Sequence, residues 1–229
     1  MTSAPVFAAL VGTAIVLALA GYAVAVRDER PHADVAVLWR ALRVRRRLLA
    51  MPVAAAVVMV ALVVAWRSRD VTVLYQLRTL VLLAALFPLA VIDLKRHRVP
   101  NPVLLVLLGV RVVLYAVEAV VDWPSFRASA VAELVLAVVV LCFFVLVRAI
   151  HRGGIGMGDV KLFALVPLFL GPQMALASIF ASLVVSFLVS LWLLLSHRGS
   201  RTDSFPLVPC VLVGTVAAIG LTTVMGVLS

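Results

Sequence analysis

The sequence is poor in charged residues and in cysteine. Charged side chains make up 13% of the 229 residues, hydrophobic ones make up 65%, and the mean hydropathy is +1.22. So little polar surface cannot cover a water-soluble globule, which excludes that class and favours an integral membrane protein. The two cysteines, Cys142 and Cys210, lie far apart in apolar runs. This spacing excludes a disulfide framework and a cysteine metal site, and we expect both to pack as small apolar side chains.

Long apolar segments recur along the whole chain, so a signal peptide alone cannot account for the composition. They predict an all-α, polytopic membrane bundle of about eight transmembrane helices, at residues 4–26, 51–66, 78–93, 101–121, 128–148, 160–172, 174–195 and 206–228. Segments 51–66, 78–93 and 160–172 are shorter than the ~20 residues that a helix needs to cross a bilayer core. We expect them to extend into flanking polar residues or to line water covered by protein. Because the runs are continuous rather than alternating, a membrane barrel is disfavoured.

The basic residues are distributed unevenly between the loops. Loops 27–50, 93–101, 148–161 and 196–204 fall on one side of the predicted bundle and hold 15 of the 20 Lys and Arg residues. By the positive-inside rule this side is cytoplasmic, so both termini face outward. The Arg-rich run at 40–49 is expected to lie on anionic lipid as an interfacial helix. A docking surface for a cytoplasmic partner or nucleic acid is the alternative, but no nucleic-acid-binding module supports it.

Two aspartates reach the predicted cytoplasmic face from different helices. Asp93 ends the third span, in AVIDLKRHRVPNP, and Asp159 precedes the sixth, in GMGDVKL. If the fold brings them together, the two carboxyl groups cannot both ionise and must share one proton. One can then activate a water while the other donates a proton to a carbonyl, which is aspartyl proteolysis. The residues by themselves leave open that Asp93 is a solvated charge or a helix cap.

Four glycines precede or adjoin Asp159 in the stretch GGIGMGDVKL. They are Gly153, Gly154, Gly156 and Gly158. Glycine would let a substrate strand approach the backbone closely, and irregular backbone at this depth must line a cavity or be covered by protein. A phosphate-binding loop is the alternative, but the pattern GxxxxGK[ST] is absent. Lys161 is interpreted either as a cytoplasmic positive charge or as a partner of Asp159.

The motifs together resemble those of the type IV prepilin peptidases, membrane aspartic proteases that process pilin-like precursors. GMGDVKL is similar to their GxGDxKL signature, and DLKRHRVPNP resembles their other Asp-containing motif. SFPLVPCVLVG at 204–214 resembles their proline-containing, glycine-rich last span. Order and spacing agree over about residues 80–229. We therefore divide the chain into hydrophobic segments with a basic loop, at 1–77, and a peptidase-like membrane core, at 78–229.

The resemblance implies a catalytic pair, Asp93 and Asp159, with Gly156, Gly158 and Lys161 shaping the substrate site. It implies a cut at the cytoplasmic face of a bacterial inner membrane, between the short basic leader and the apolar helix of a prepilin or pseudopilin. No cofactor and no metal are expected. Bifunctional family members carry paired CxxC motifs and also N-methylate the new pilin terminus. This sequence has no CxxC motif, so we predict a short form with peptidase activity alone.

Other polar and aromatic residues have separate expected roles. Arg111 and Glu133 lie within predicted spans and could pair between neighbouring antiparallel helices. Glu118 lies close enough to the outer boundary to be solvated. His97 and His151 are expected to be solvated, a metal site being the alternative. The tryptophans are expected to anchor the chain at the membrane interfaces: Trp39, Trp66, Trp123 and Trp192.

Two other functions compete with proteolysis. A polytopic transporter, or a pilus or secretion assembly subunit without protease activity, would use the intramembrane charges to line an ion path. Such a transporter would be expected to show internal repeats or broken spans in corresponding positions, and no convincing repeat is visible. An inactive scaffold with the protease fold is the other alternative, although both aspartates are present.

Overall fold

The computed structural model describes residues 5–14, 16, 46–67, 69, 71–150, 155–195 and 206–225. Over these ranges the chain forms eight helices: α1 (Pro5–Ala14), α2 (Arg46–Trp66), α3 (Val73–Arg96), α4 (Asn101–Val121), α5 (Trp123–Ile150), α6 (Met157–Leu170), α7 (Pro172–Leu195) and α8 (Val208–Met225). No strand occurs in them, which confirms the all-α class. The expected features outside these ranges are both chain termini, the loop 196–204, most of the loop 27–50 with its Arg-rich run, Trp39, His151, Gly153 and Gly154.

Five of the helices are long and apolar enough to cross a membrane, so the protein is a multi-pass membrane protein. They are α3 (over Val73–Leu94), α4, α5, α7 and α8. Two of the predicted short spans take up flanking residues: α2 has 21 residues and α3 has 24. Helix α6 stays short at 14 residues, which correspond to about 21 Å at 1.5 Å per residue. That is less than the ~30 Å hydrocarbon core.

Local sequence explains several helix ends around the bundle. The Thr72 side chain accepts a hydrogen bond from the Tyr75 N–H and so caps the start of α3. Helix α3 ends at Arg96 and is followed by its C-cap residue, His97. The left-handed backbone of His97 (φ 49°) is the one positive φ among the described non-glycine residues. Helices α6 and α7 are separated by Gly171, which has a φ of 77°, and Pro172 then begins α7.

Helix α3 lies at the centre of the bundle, where it contacts α2, α4, α6 and α8, while α7 packs along α8. The α7–α8 contact is close because its residues are small. A Cβ at Gly214 would lie 2.4 Å from the Ser182 nitrogen, and the Ser178 and Thr215 hydroxyl oxygens are 2.7 Å apart. Small residues and hydroxyl hydrogen bonds are what hold neighbouring helices together in a lipid environment.

A buried charge cluster joins α3, α4 and α5, and consists of Arg78, Arg111, Glu118 and Glu133. Glu133 accepts hydrogen bonds from Arg78 (2.7 Å), from Arg111 (2.8 Å) and from the Tyr115 hydroxyl (2.8 Å). The predicted pairing of Arg111 with Glu133 is therefore confirmed. The prediction of a solvated Glu118 is wrong, because its carboxylate accepts two hydrogen bonds from Arg111 and its side chain is only 12% exposed.

Two further residues differ from expectation. Trp66 is fully buried and its indole N–H donates to the Thr223 hydroxyl over 3.1 Å, so it is not an interface anchor. Cys142 is exposed on α5, whereas Cys210 is buried as expected. A side chain facing lipid can be as apolar as one facing protein, so hydrophobicity alone does not distinguish the two positions.

Candidate active site

Asp93 lies in the last turn of α3 and points at the start of α8. Its side chain is buried, with the residue only 4% exposed, and Oδ2 accepts the Val208 N–H over 2.9 Å. The Leu207 N–H also bonds to this carboxylate. The first N–H groups of a helix have no acceptor within the helix, and Asp93 supplies one from another part of the chain. The expectation of a solvated Asp93 is therefore wrong. The expectation of a helix cap is correct, and the helix that Asp93 caps is α8.

Asp159 is the third residue of α6 and reaches back to the backbone of Gly156, the N-cap residue. The Gly156 N–H bonds to its carboxylate, an arrangement like half of a capping box. The other oxygen, Oδ1, is buried and has no hydrogen-bond partner among the described residues. Leaving a buried oxygen without a hydrogen bond costs free energy, and a water or a substrate group that donates to Oδ1 would remove this cost.

The structure brings Asp93 and Asp159 close enough for their charges to interact, although 66 residues separate them in the chain. Asp159 precedes the predicted span 160–172 and stands in the first turn of α6. Burial first, and then the negative charge of Asp93, raise the pKa of Asp159 from 3.8 to about 6, against a smaller lowering by the Gly156 N–H. A carboxyl group with such a pKa can hold a proton close to neutral pH, as a general acid must.

Gly156 and Gly158 stand where a side chain would disturb this site. A Cβ at Gly156 would lie 2.8 Å from Asp159 Oδ2. A Cβ at Gly158 would lie 2.7 Å from the Val99 Cβ and 3.0 Å from the Val99 carbonyl oxygen. The close approach at Gly158 is therefore to the protein's own α3–α4 connection, whereas the sequence had suggested close approach by a substrate.

Lys161 lies on the exposed side of α6, two residues after Asp159. Its ammonium group donates to the Asn101 side-chain oxygen over 3.1 Å, so its partner is Asn101 and not Asp159. Asn101 is the first residue of α4, in the stretch VPNP. This contact and the one between Gly158 and Val99 both fasten the start of α6 to the chain that follows Asp93.

Sequence reasoning missed four of the groups that position the two aspartates. Besides Asn101, they are the Leu207 and Val208 N–H groups and Arg148, whose guanidinium donates to the Ile155 carbonyl and so ties the end of α5 to the start of α6. Proline-rich stretches were the available signals: VPNP after Asp93 and PLVPC at the start of α8. Proline favours the first turn of a helix, where backbone N–H groups are free.

The site can carry out acid–base chemistry on a water molecule. It holds two carboxyl groups in different environments: one is bonded to backbone N–H groups, and the other has a buried oxygen with no partner in the described part of the chain. Among the described residues, no three His, Cys, Asp or Glu side chains cluster to hold a metal ion. His97, which lies at the end of α3, is exposed and close enough to act electrostatically on Asp93.

Comparisons with known proteins agree with the motifs of this site. Residues 80–194 match the type IV leader peptidase family. A prepilin leader peptidase/N-methyltransferase of Bacillus subtilis (strain 168) is 27% identical over 138 residues, which are 60% of this chain. The chain spans about half of that relative's length, 53%. No solved structure matches the chain significantly.

Proposed function

Because the chain belongs to the type IV leader peptidase family, we propose that it is a membrane aspartic endopeptidase acting on prepilin-like precursors. Asp93 and Asp159 are its catalytic pair. The observation that carries this proposal is the electrostatic interaction of the two carboxyl groups at one end of the bundle. Asp93 is buried against backbone N–H groups, and Asp159 has a buried oxygen with no partner among the described residues.

Hydrolysis needs one ionised and one protonated carboxyl group. The ionised group takes a proton from water as the water oxygen bonds to the scissile carbonyl carbon, and the protonated group gives its proton to the carbonyl oxygen. The resulting tetrahedral intermediate breaks its C–N bond as the leaving nitrogen receives a proton. No covalent bond to the enzyme forms, and each aspartate recovers its starting state after a full cycle.

The proposed substrate is a prepilin or pseudopilin with a short basic leader and an apolar helix. Its helix would lie in the bilayer and its leader in the cytoplasm, so the cut would be made at the cytoplasmic face of a bacterial inner membrane. The uneven distribution of Lys and Arg supports this orientation, with both chain termini outside. Gly156, Gly158 and Lys161 would shape the site, the glycines by leaving room and Lys161 through Asn101.

We also propose that this chain cleaves without N-methylating the product. The two cysteines of the sequence, Cys142 and Cys210, do not form a CxxC motif. To test this statement, the cleaved product is incubated with a methyl donor and the purified protein. The mass of its new N-terminal peptide is then measured by mass spectrometry. A methylated terminus would contradict it and would leave the peptidase proposal intact.

Leader removal in cells that co-express a prepilin-like precursor tests the catalytic pair. We expect Asp93→Asn and Asp159→Asn each to lower the cleavage rate by at least ~100-fold, because each removes one half of the acid–base chemistry and keeps the side-chain shape. Asp122→Asn is a matched control, since Asp122 is an exposed aspartate at the end of α4. Wild-type cleavage by both active-site variants would refute the pair. Absence of cleavage by the wild-type protein would instead favour a transporter or an assembly subunit.

A further inference from the structure

The two aspartates differ in what their oxygens contact. Asp93 Oδ2 accepts the Val208 N–H over 2.9 Å, and the Leu207 N–H bonds to the same carboxylate. Asp159 receives one N–H, from Gly156, and its buried Oδ1 has no partner among the described residues. The site is therefore asymmetric before any substrate is bound.

Helix α8 begins at the contact with Asp93. The Leu207 carbonyl accepts the N–H groups of Cys210 and Val211, which makes Leu207 the N-cap and Val208 the first helical residue. The N–H groups at this end have no acceptor within α8, and together with the helix dipole they correspond to about half a positive charge. Hydrogen bonds of this kind favour the ionised form of a carboxyl group.

We propose that the first turn of α8 assigns the two roles in the catalytic pair. Asp93 is the ionised carboxylate that takes the proton of the attacking water, and Asp159 carries the proton that it donates to the scissile carbonyl oxygen. Leu207 and Val208 are positioning residues, since they act through Asp93. This inference rests on the proposed function and deepens it.

The proton transfers balance over one turnover. As the water O–C bond forms, one water proton moves to Asp93 and the Asp159 proton moves to the carbonyl oxygen. When the C–N bond breaks, Asp93 passes its proton to the leaving nitrogen. Asp159 then takes back a proton from the hydroxyl that becomes the new carbonyl. Water is consumed, no oxidant or reductant is needed, and the pair returns to its starting state.

Among the residues that the structure describes, three titratable groups act on Asp93. They are Asp159 on α6, His97 at the end of α3 itself, and Cys210 on α8. His97 is exposed, and the Cys210 thiol is hydrogen-bonded to Ser186. His97→Gln therefore serves as a control for the electrostatic effect of this imidazole on Asp93.

Val208→Pro is the variant that removes the N–H and little else. Proline is favoured at the first residue of a helix, because the N–H there makes no bond within the helix. Its ring also has nearly the volume of the buried valine side chain. Val208→Ala is the matched control, because it trims the same buried side chain but keeps the N–H.

The pH profile of kcat/KM for leader cleavage separates the two possible assignments. If Asp93 ionises first, the acidic limb of the profile reports its ionisation. Val208→Pro removes one N–H that stabilises the ionised carboxylate, so this limb should move to higher pH by about one unit, which corresponds to a tenfold change in the ionisation equilibrium. The basic limb then stays in place, since Asp93 is ionised on both sides of it. If Asp159 ionises first, the acidic limb stays and the basic limb moves, which would overturn the proposal. Val208→Ala is expected to keep both limbs at the wild-type pH, whatever its rate.

A second measurement does not need the proline variant. In the wild-type protein labelled with ¹⁵N-valine, the Val208 amide resonance, identified as the one lost in Val208→Ala, should shift with pH through the acidic limb of the pair. The shift should be absent in Asp93→Asn. A Val208 resonance that shifts at the basic limb, or that persists unchanged in Asp93→Asn, would refute the assignment even if Val208→Pro fails to fold. Failure of the proposed function itself is distinguishable, because it would appear as no cleavage by the wild-type protein, or as cleavage at the wild-type rate by the two aspartate variants.

Discussion

Gly158→Ala should separate the proposed catalytic pair, Asp93 and Asp159, without unfolding the protein. The new Cβ would lie 2.7 Å from the Val99 Cβ and 3.0 Å from the Val99 carbonyl oxygen. Carbon atoms in contact are normally 3.5–4.0 Å apart, so the start of α6 would have to move by about 1 Å. Asp159 is the next residue and would move with it. A misplacement of about 1 Å at a reacting group can lower the rate by ~100-fold.

The stability of this variant should change much less than its activity. Overpacking costs about 1–3 kcal/mol, and replacing a helical glycine by alanine returns up to about 1 kcal/mol. The assay is kcat/KM for leader removal by purified protein in detergent, beside the thermal unfolding midpoint of the same sample. We expect a loss of ~100-fold in kcat/KM, with a folded protein.

Matched glycine variants control for the general effect of adding a methyl group. Gly109→Ala in α4 and Gly220→Ala in α8 place a Cβ where no other atom lies within 4 Å, and both should cleave like wild type. Val99→Gly combined with Gly158→Ala should recover part of the lost rate, because it removes the nearer of the two clashing atoms. The reasoning would be refuted by a Gly158→Ala protein that cleaves within threefold of wild type, or by equal losses in the control variants.

Two further predictions concern stability. Glu133→Gln leaves Arg78 and Arg111 facing a neutral side chain inside the bundle. It should lower the free energy of unfolding by ~3–5 kcal/mol. An unchanged unfolding midpoint in detergent would contradict the assigned contacts. Gly214→Ala puts a Cβ 2.4 Å from the Ser182 nitrogen and should push α7 away from α8, measured as a lower unfolding midpoint than that of wild type. A midpoint equal to or above the wild-type value would show that the two helices are not in close contact.

Much of the helical architecture could be predicted because each membrane-length helix is predominantly apolar. The bounds of α4 agree with the predicted segment 101–121, and α2 and α3 extend their predicted spans into flanking residues. The pairing of Arg111 with Glu133 was also predictable, since opposite charges within neighbouring spans have few other partners. Local pattern likewise explains Asp159, whose place three residues after the N-cap Gly156 allows it to reach the backbone.

The packing of the helix faces could not be predicted in the same way. Trp66, Cys142 and Glu118 were each assigned the wrong surroundings. In a water-soluble protein the buried face of a helix is apolar and the outer face is polar, so the sequence period reveals the direction of the core. In a membrane both faces are apolar, and that signal is lost.

What the sequence by itself determined is the membrane helices, the uneven distribution of positive charge and the two aspartates with their motifs. What only the tertiary structure decided is the set of contacts that makes those aspartates unlike one another. The Val208 N–H that reaches Asp93 comes from 115 residues further along the chain, and Val99 meets Gly158 across two helices. No local pattern can specify such partners, because backbone N–H groups and small residues occur throughout every protein chain. They acquire a role only where the fold places them beside a functional side chain.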